Sequence, residues 1–273
     1  DLNAINSEQR FVWHSNLIQK WIEDNPLDLG NGWEPYPSSL RIVNWIKWFL
    51  LDLNLNNNVN QMWLDSLVIQ TRFLSQNLEY HLLGNHLFAN AKALVFAGLF
   101  FKEEEADHWY QLGISIINRE LSEQVLSDGG NFELSPMYHA IFLEDLLDLV
   151  NIHQAYNRSF PDNLENKIVQ MLEWLKVMCH PDREIAFFND SALGIAPSFV
   201  ELLSYSDRLS LVFKNNQVNR LTHLKESGYI RVEDENMVII ADVADIGPDY
   251  IPGHGHADAL SFELSLFGKR VIV

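Results

Sequence analysis

Met237-Val238-Ile239-Ile240-Ala241-Asp242-Val243 is short, rich in β-branched residues and bounded by Asp, Glu and Asn, so it reads as a β-strand. Upstream, Gly228-Tyr229-Ile230-Arg231-Val232 has the same character, and downstream Leu260, Phe262, Leu264 and Leu266 alternate strictly. Gly268-Lys269 looks like a hairpin turn into Val271-Ile272-Val273. The chain before about residue 180 has a different texture. Its apolar residues recur every three or four positions, which predicts helices over about 7–24, 37–54, 57–79, 86–101, 104–126, 136–156 and 162–179. Ser135-Pro136 marks one helix start, with an N-cap and a Pro at the first helical position, and Tyr36-Pro37-Ser38-Ser39 resembles it.

Helices first and strands afterwards predict an α+β multidomain chain rather than a βαβ fold. The expected division is a helical domain over 1–180, a connector over 181–226 and the first strands of an antiparallel β-sandwich over 227–273. Asp1 stands where a Met would, and Val273 ends inside an apolar alternation. Both ends are therefore expected to be cuts through a longer protein, with further strands after Val273.

The 273 residues are 47% hydrophobic and 21% charged, a composition that buries a core and excludes disorder as the main theme. Thirty-seven acidic residues against 19 basic ones give a net charge of −18, which argues against a nucleic-acid partner bound through its phosphates. The single Cys179 cannot form an internal disulfide, and no apolar stretch reaches the roughly 18–20 residues of a membrane span. Periplasm and cytoplasm both stay open as compartments, as does the oligomeric state.

Four segments carry candidate chemistry. Pro252-Gly253-His254-Gly255-His256-Ala257-Asp258 places two histidines two apart among glycines, just before a strand. Such a pair can give both rings to one metal, or one ring to a metal and the other to acid/base work; an exposed Gly-His turn is the plain alternative. Gly84-Asn85-His86 opens an amphipathic helix on which His86, Asn90, Ala93 and Ala97 share a face, with small residues leaving room for a ligand. The plain alternative there is an Asn85 N-cap followed by a surface His86.

Gly129-Gly130-Asn131-Phe132-Glu133-Leu134-Ser135-Pro136-Met137-Tyr138-His139 puts Tyr138 in the first turn of a capped helix, where the macrodipole favours phenolate and so a usable base. Tyr138 and His139 can equally be a packing pair. Candidate sugar contacts are Trp33, Glu34, Tyr36, Arg41, Asn90, Glu133, His139, Asn189 and Asp190: aromatic faces stack on sugar rings, and the polar groups bond hydroxyls and carboxylates.

The order Asn85-His86, then Gly129 to His139, then Phe188-Asn189-Asp190-Ser191, then Gly253 to Asp258 resembles the heparinase II/III-like family of polysaccharide lyases. The resemblance implies an incomplete α/α toroid of antiparallel helix pairs followed by an antiparallel β-sandwich, with a substrate cleft between them. It implies β-elimination on a uronic-acid-containing polysaccharide, the work of a carbon–oxygen lyase. Asn85 or His86 would neutralise the uronate carboxylate, Tyr138 would serve as acid/base, and His254 would be its partner. His256 would bind a structural Zn in the β domain, with the remaining ligands beyond Val273.

A charge of −18 repels polyanions at long range, which points to a sparsely charged uronate or bacterial surface polysaccharide rather than heavily sulfated heparin. A glycoside hydrolase using Glu34, Glu133 or Asp190 is the runner-up, since hydrolysis needs two carboxylates about the scissile bond. A non-catalytic polysaccharide-binding or assembly protein on the same scaffold is the third reading.

Overall fold

The computed structural model describes residues 6–56, 60–161, 163–214, 218–245, 247 and 253–273. Residues 57–59 and 162, where two of the expected helices would begin, and Pro252 of the histidine motif lie outside the described residues. The chain divides into two compact units, Asp1–Ile117 and Asn118–Val273.

The first unit holds α1 (Phe11–Asp24), α2 (Pro35–Asn56), α3 (Gln61–Gln76), α4 (Gly84–Phe100) and the start of α5 (Glu104–Gln124). α2 packs on both α3 and α4. Its Trp48 stacks on Phe11 with ring centroids 5.0 Å apart, and Trp63 of α3 lies parallel to Phe49 at 6.2 Å. α4 is apolar around most of its circumference, so it forms a buried central helix rather than a surface one. Gly98 and Gly113 bring α4 and α5 together. A Cβ on Gly98 would lie 2.7 Å from the Ala106 carbonyl, and one on Gly113 would lie 2.8 Å from that of Ala91.

The second unit continues with α6 (Pro136–Ala155), α7 (Leu164–Val177) and α8 (Phe199–Arg208), which pack on one another. Five strands follow: β1 (Leu221–Leu224), β2 (Tyr229–Asp234), β3 (Met237–Asp242), β4 (Phe262–Leu266) and β5 (Lys269–Ile272). They form one antiparallel sheet in chain order; short turns join β1 to β2, β2 to β3 and β4 to β5, whereas residues 243–261, which hold the histidine motif, join β3 to β4. Helix α8 and strand β1 fall inside the stretch read from sequence as a connector.

The sheet turns an unexpected face to the interior. Arg231, Ile240 and Glu263 are neighbours across β2, β3 and β4, and all three are buried together with Ser265. The alternating apolar residues Phe262, Leu264 and Leu266 point the other way. The physical reason lies in what this polar face meets. Arg231 Nη1 donates to the carbonyls of Val177 and Cys179 at 3.0 and 2.6 Å, satisfying acceptors that the end of α7 leaves open. Glu263 lies 3.1 Å from both His180 and Arg270, and His180 Nδ1 is 2.8 Å from Ser265 Oγ. A second tie is Asp128, whose Oδ2 accepts from the backbone N–H groups of Glu226 and Ser227 at 2.9 and 2.8 Å, pinning the β1–β2 turn to the loop before α6. No helix among the described residues is long and apolar enough to cross a membrane.

Candidate active site

In the second unit the site grows out of the turn before α6. Asn131 Oδ1 accepts from the Glu133 backbone N–H at 3.0 Å, and Leu134 adopts a left-handed φ of 59°. Such a φ is costly for a leucine. Here it aims the Leu134 carbonyl at the Tyr229 hydroxyl and the Asn189 amide, 2.6 and 3.0 Å away. Ser135 then caps α6 and accepts from the Tyr138 backbone N–H at 3.4 Å. Its hydroxyl also lies 3.1 Å from that of Ser191, which accepts from the Met137 N–H at 3.2 Å.

Tyr138 and His254 meet face to face, with ring centroids 3.9 Å apart and planes inclined by 35°. His254 sits between two carboxylates. Its Nδ1 is 3.0 Å from Asp190, and its Nε2 is 3.3 Å from Glu133. A neutral imidazole donates through one nitrogen only, so both contacts are donated together only by the doubly protonated ring. Burial, reinforced by the negative charges of Asp190 and Glu133, raises the Tyr138 pKa. The expectation that the helix terminus favours phenolate is therefore corrected: two carboxylates and partial burial outweigh the macrodipole, and the phenol is held neutral.

In the first unit α4 begins at Gly84, so Asn85 is a first-turn residue and not its N-cap. His86 Nδ1 lies 3.0 Å from Glu79, and the ring packs on Tyr36 with centroids 4.5 Å apart. One turn along, the Asn90 amide donates to Glu79 Oε2 and to Ser39 Oγ at 2.8 and 3.0 Å and accepts from the Glu79 backbone N–H at 2.9 Å. The space expected beside Asn90, Ala93 and Ala97 is filled: all three are fully buried, because α4 is covered on every side.

The family profile "Heparinase II/III N-terminus" matches residues 7–220, and "Heparinase II/III-like, C-terminal" matches 216–273. This chain belongs to the heparinase II/III-like family. A "Heparin-sulfate lyase" of Bacteroides stercoris is 35% identical over 141 residues, covering 50% of this chain and 21% of its own length. A "Heparin-sulfate lyase" of Pedobacter heparinus is 31% identical over 186 residues, 63% of this chain and 27% of its own length. The matched stretches thus cover about a quarter of the length of these relatives. Among solved structures, Heparinase III superposes with a TM-score of 0.79 at 21% identity, over 96% of this chain and 46% of that one. Heparan sulfate lyase HepC of Pedobacter heparinus gives 0.68 at 24% identity, over 94% and 44%. Identities this low show the fold alone, helices of the α/α-toroid class followed by an antiparallel sheet.

Several residues of this heparinase II/III-like chain read as sugar contacts are occupied inside the protein. Trp33 is buried and packs on Trp21 and Phe73, so its faces are closed to a sugar ring. His139 is fully buried, stacks on Trp174 at 4.3 Å, and has its pKa lowered to about 3 by burial. Asn189 bridges Leu134, Tyr229 and the His256 N–H, while its own N–H meets the Asp258 carboxylate, so it builds the loop that carries His254. Arg41 donates to Gln70, Gly32 and Ser38, lies 3.8 Å over the Trp21 ring, and has its pKa lowered to about 9 by burial. Glu34 is exposed, and Tyr36, Asn85, His86 and Asp190 are half-buried.

His256 is exposed. Among the described residues no group of three His, Cys, Asp or Glu side chains is placed to hold a metal ion. Glu79 escaped the sequence reading. An isolated Glu in a loop gives no signal until folding sets it beneath the first turn of α4.

Proposed function

We propose that the protein is a polysaccharide lyase that cleaves a uronic-acid-containing polymer by β-elimination. The observation that carries this reading is the close ring contact of Tyr138 and His254, with His254 held between Glu133 and Asp190. Elimination needs one group to take the proton at C5, another to protonate the departing O4, and a third to quiet the charge that builds on the uronate carboxylate. A Tyr138 held neutral is set to give its proton to O4. When substrate parts the half-exposed Asp190 from His254, the Nδ1 proton leaves with Asp190 to solvent, and the neutral ring, its Nε2–H kept on Glu133, accepts the proton from C5 at Nδ1. Asn85 or His86 neutralises the carboxylate. The lyase names of the relatives support the same reaction class, and an acidic glycosaminoglycan of modest charge density suits a chain of net charge −18. Hydrolysis is not favoured, because two of the three carboxylates named for it, Glu133 and Asp190, face the His254 ring.

The test is to incubate the intact protein with a panel of uronate polysaccharides and follow ultraviolet absorbance. Elimination leaves a conjugated 4,5-unsaturated uronate, which hydrolysis cannot make. Chain cleavage without that chromophore would replace the lyase reading with the hydrolase.

A further inference from the structure

The surroundings of His86 define more than its position. Glu79 is buried, and its two carboxylate oxygens are divided between His86 Nδ1 and Asn90 Nδ2. Asn90 cannot turn its amide over, since its oxygen accepts from the Glu79 backbone N–H and its nitrogen donates to Ser39 as well. Ser39 in turn donates to the Pro35 carbonyl at 2.8 Å, so its oxygen is left to accept from Asn90. Every donor and acceptor in the chain Pro35–Ser39–Asn90–Glu79–His86 has one consistent direction. A carboxylate only accepts, so Nδ1 of His86 must carry a hydrogen.

We infer that Glu79 is a positioning residue: it keeps the hydrogen on Nδ1 and leaves Nε2 as the ring nitrogen offered to substrate. This rests on the reading above, with Asn85 as the group that meets the uronate carboxylate: a ring whose hydrogen sits on Nδ1 has no N–H to give there, and His86 Nε2 accepts instead from a hydroxyl of the reacting sugar. Nε2 has no hydrogen-bond partner among the described residues, and the side chain is 36% exposed. Tyr36 packs on one face of the ring and limits its rotation. The turn that places Glu79 is itself fixed, because its carbonyl accepts from the N–H groups of Leu82 and Leu83 at 3.0 and 3.1 Å.

Glu79→Gln tests this with an isosteric change. The locked Asn90 amide obliges the new side chain to turn its oxygen toward Asn90 and its NH₂ toward His86. Nδ1 must then accept, and the hydrogen moves to Nε2. The ¹⁵N shifts of the His86 ring in selectively labelled intact protein report this directly, with His86→Gln to assign the signal. The expected result is a protonated, pyrrole-type Nδ1 in the wild type and a pyridine-type Nδ1 in Glu79→Gln, with Glu79→Asp keeping the wild-type pattern. Turnover of a uronate polymer by Glu79→Gln should fall by about 10² or more. The equivalent exchange in a Ser-His-Asp triad lowers kcat by about 10⁴ through the wrong tautomer. Unchanged ring shifts in Glu79→Gln would overturn the inference, as would an exchanged tautomer with full turnover. If the wild type yields no unsaturated product, the lyase reading fails while the ring shifts still decide whether Glu79 sets the tautomer.

Discussion

His139 and His254 both neighbour Tyr138, one along the chain and one through space, yet their surroundings are opposites. His139 accepts from the Asn131 N–H at Nδ1 and faces the Met171 carbonyl with Nε2, at 3.2 and 3.0 Å. One neutral donor and one neutral acceptor fit a single uncharged tautomer, and complete burial excludes any other state. His254 faces two acceptors that carry charge, and its side chain is 19% exposed. The proton inventory of an imidazole is therefore set by the donors and acceptors around it. Adjacency to Tyr138 in sequence decides nothing: the neighbour through space lies between two carboxylates in the proposed site, and the neighbour in sequence belongs to the core.

The strongest way to break this comparison is at Tyr138 itself. Tyr138→Phe removes only the hydroxyl and leaves the Ser135 cap in place, so kcat on a uronate polymer should drop by about 10²–10⁴ while KM stays nearly level. Steady-state kinetics together with a melting curve separate this from misfolding. Turnover that survives the substitution would remove Tyr138 from the proton transfers, and a rise in KM alone would make it a binding residue.

The next sharpening divides the two carboxylates on His254. Glu133 is 3% exposed, whereas the Asp190 side chain is 46% exposed and screened by water. Glu133→Gln should lower kcat/KM by about 10- to 100-fold, the range of a hydrogen bond to a charged group, and Asp190→Asn by a few-fold at most. The reverse order would make Asp190 the principal support of the ring and would contradict its proposed release when substrate enters.

Much of this architecture was legible beforehand, for identifiable reasons. The 3.6-residue periodicity located α1 to α7, and alternation located β2 to β4. Helix α8 was missed although its signal was present: Ser198 and Glu201 form a capping box just after Pro197. The sheet polarity was not readable. Alternation in β4 names an apolar face but cannot say that Arg231, Glu263 and Ser265 are drawn inward by His180 and the carbonyl end of α7. Trp33 was misplaced for a related reason, since an aromatic beside a Gly looks the same in sequence whether it lines a cleft or closes a core. α3 ends at Gln76, short of the expected 79, and the turn released there carries Glu79 to His86.

The smallest effect is thermodynamic and lies at His139. Its pKa of about 3 in the folded protein stands below the roughly 6.5 of an unfolded histidine, so the unfolded chain takes up the proton first as pH falls. The stability that His139 contributes is fully present above about pH 6.5. It is lost by up to about 1.4 kcal/mol per pH unit between there and about pH 3. His139→Phe abolishes this titration and leaves the buried Asn131 N–H without its acceptor, which costs about 1–3 kcal/mol at neutral pH. The variant should thus be weaker than the wild type at pH 7, and its urea midpoint should decline less steeply toward pH 5, by the slope of one proton. Equal slopes for the two proteins would mean that His139 takes a proton in the folded state. The contrast with His254, a ring kept neutral by a neutral cage against a ring held between charges, would then fail at its better-buried end.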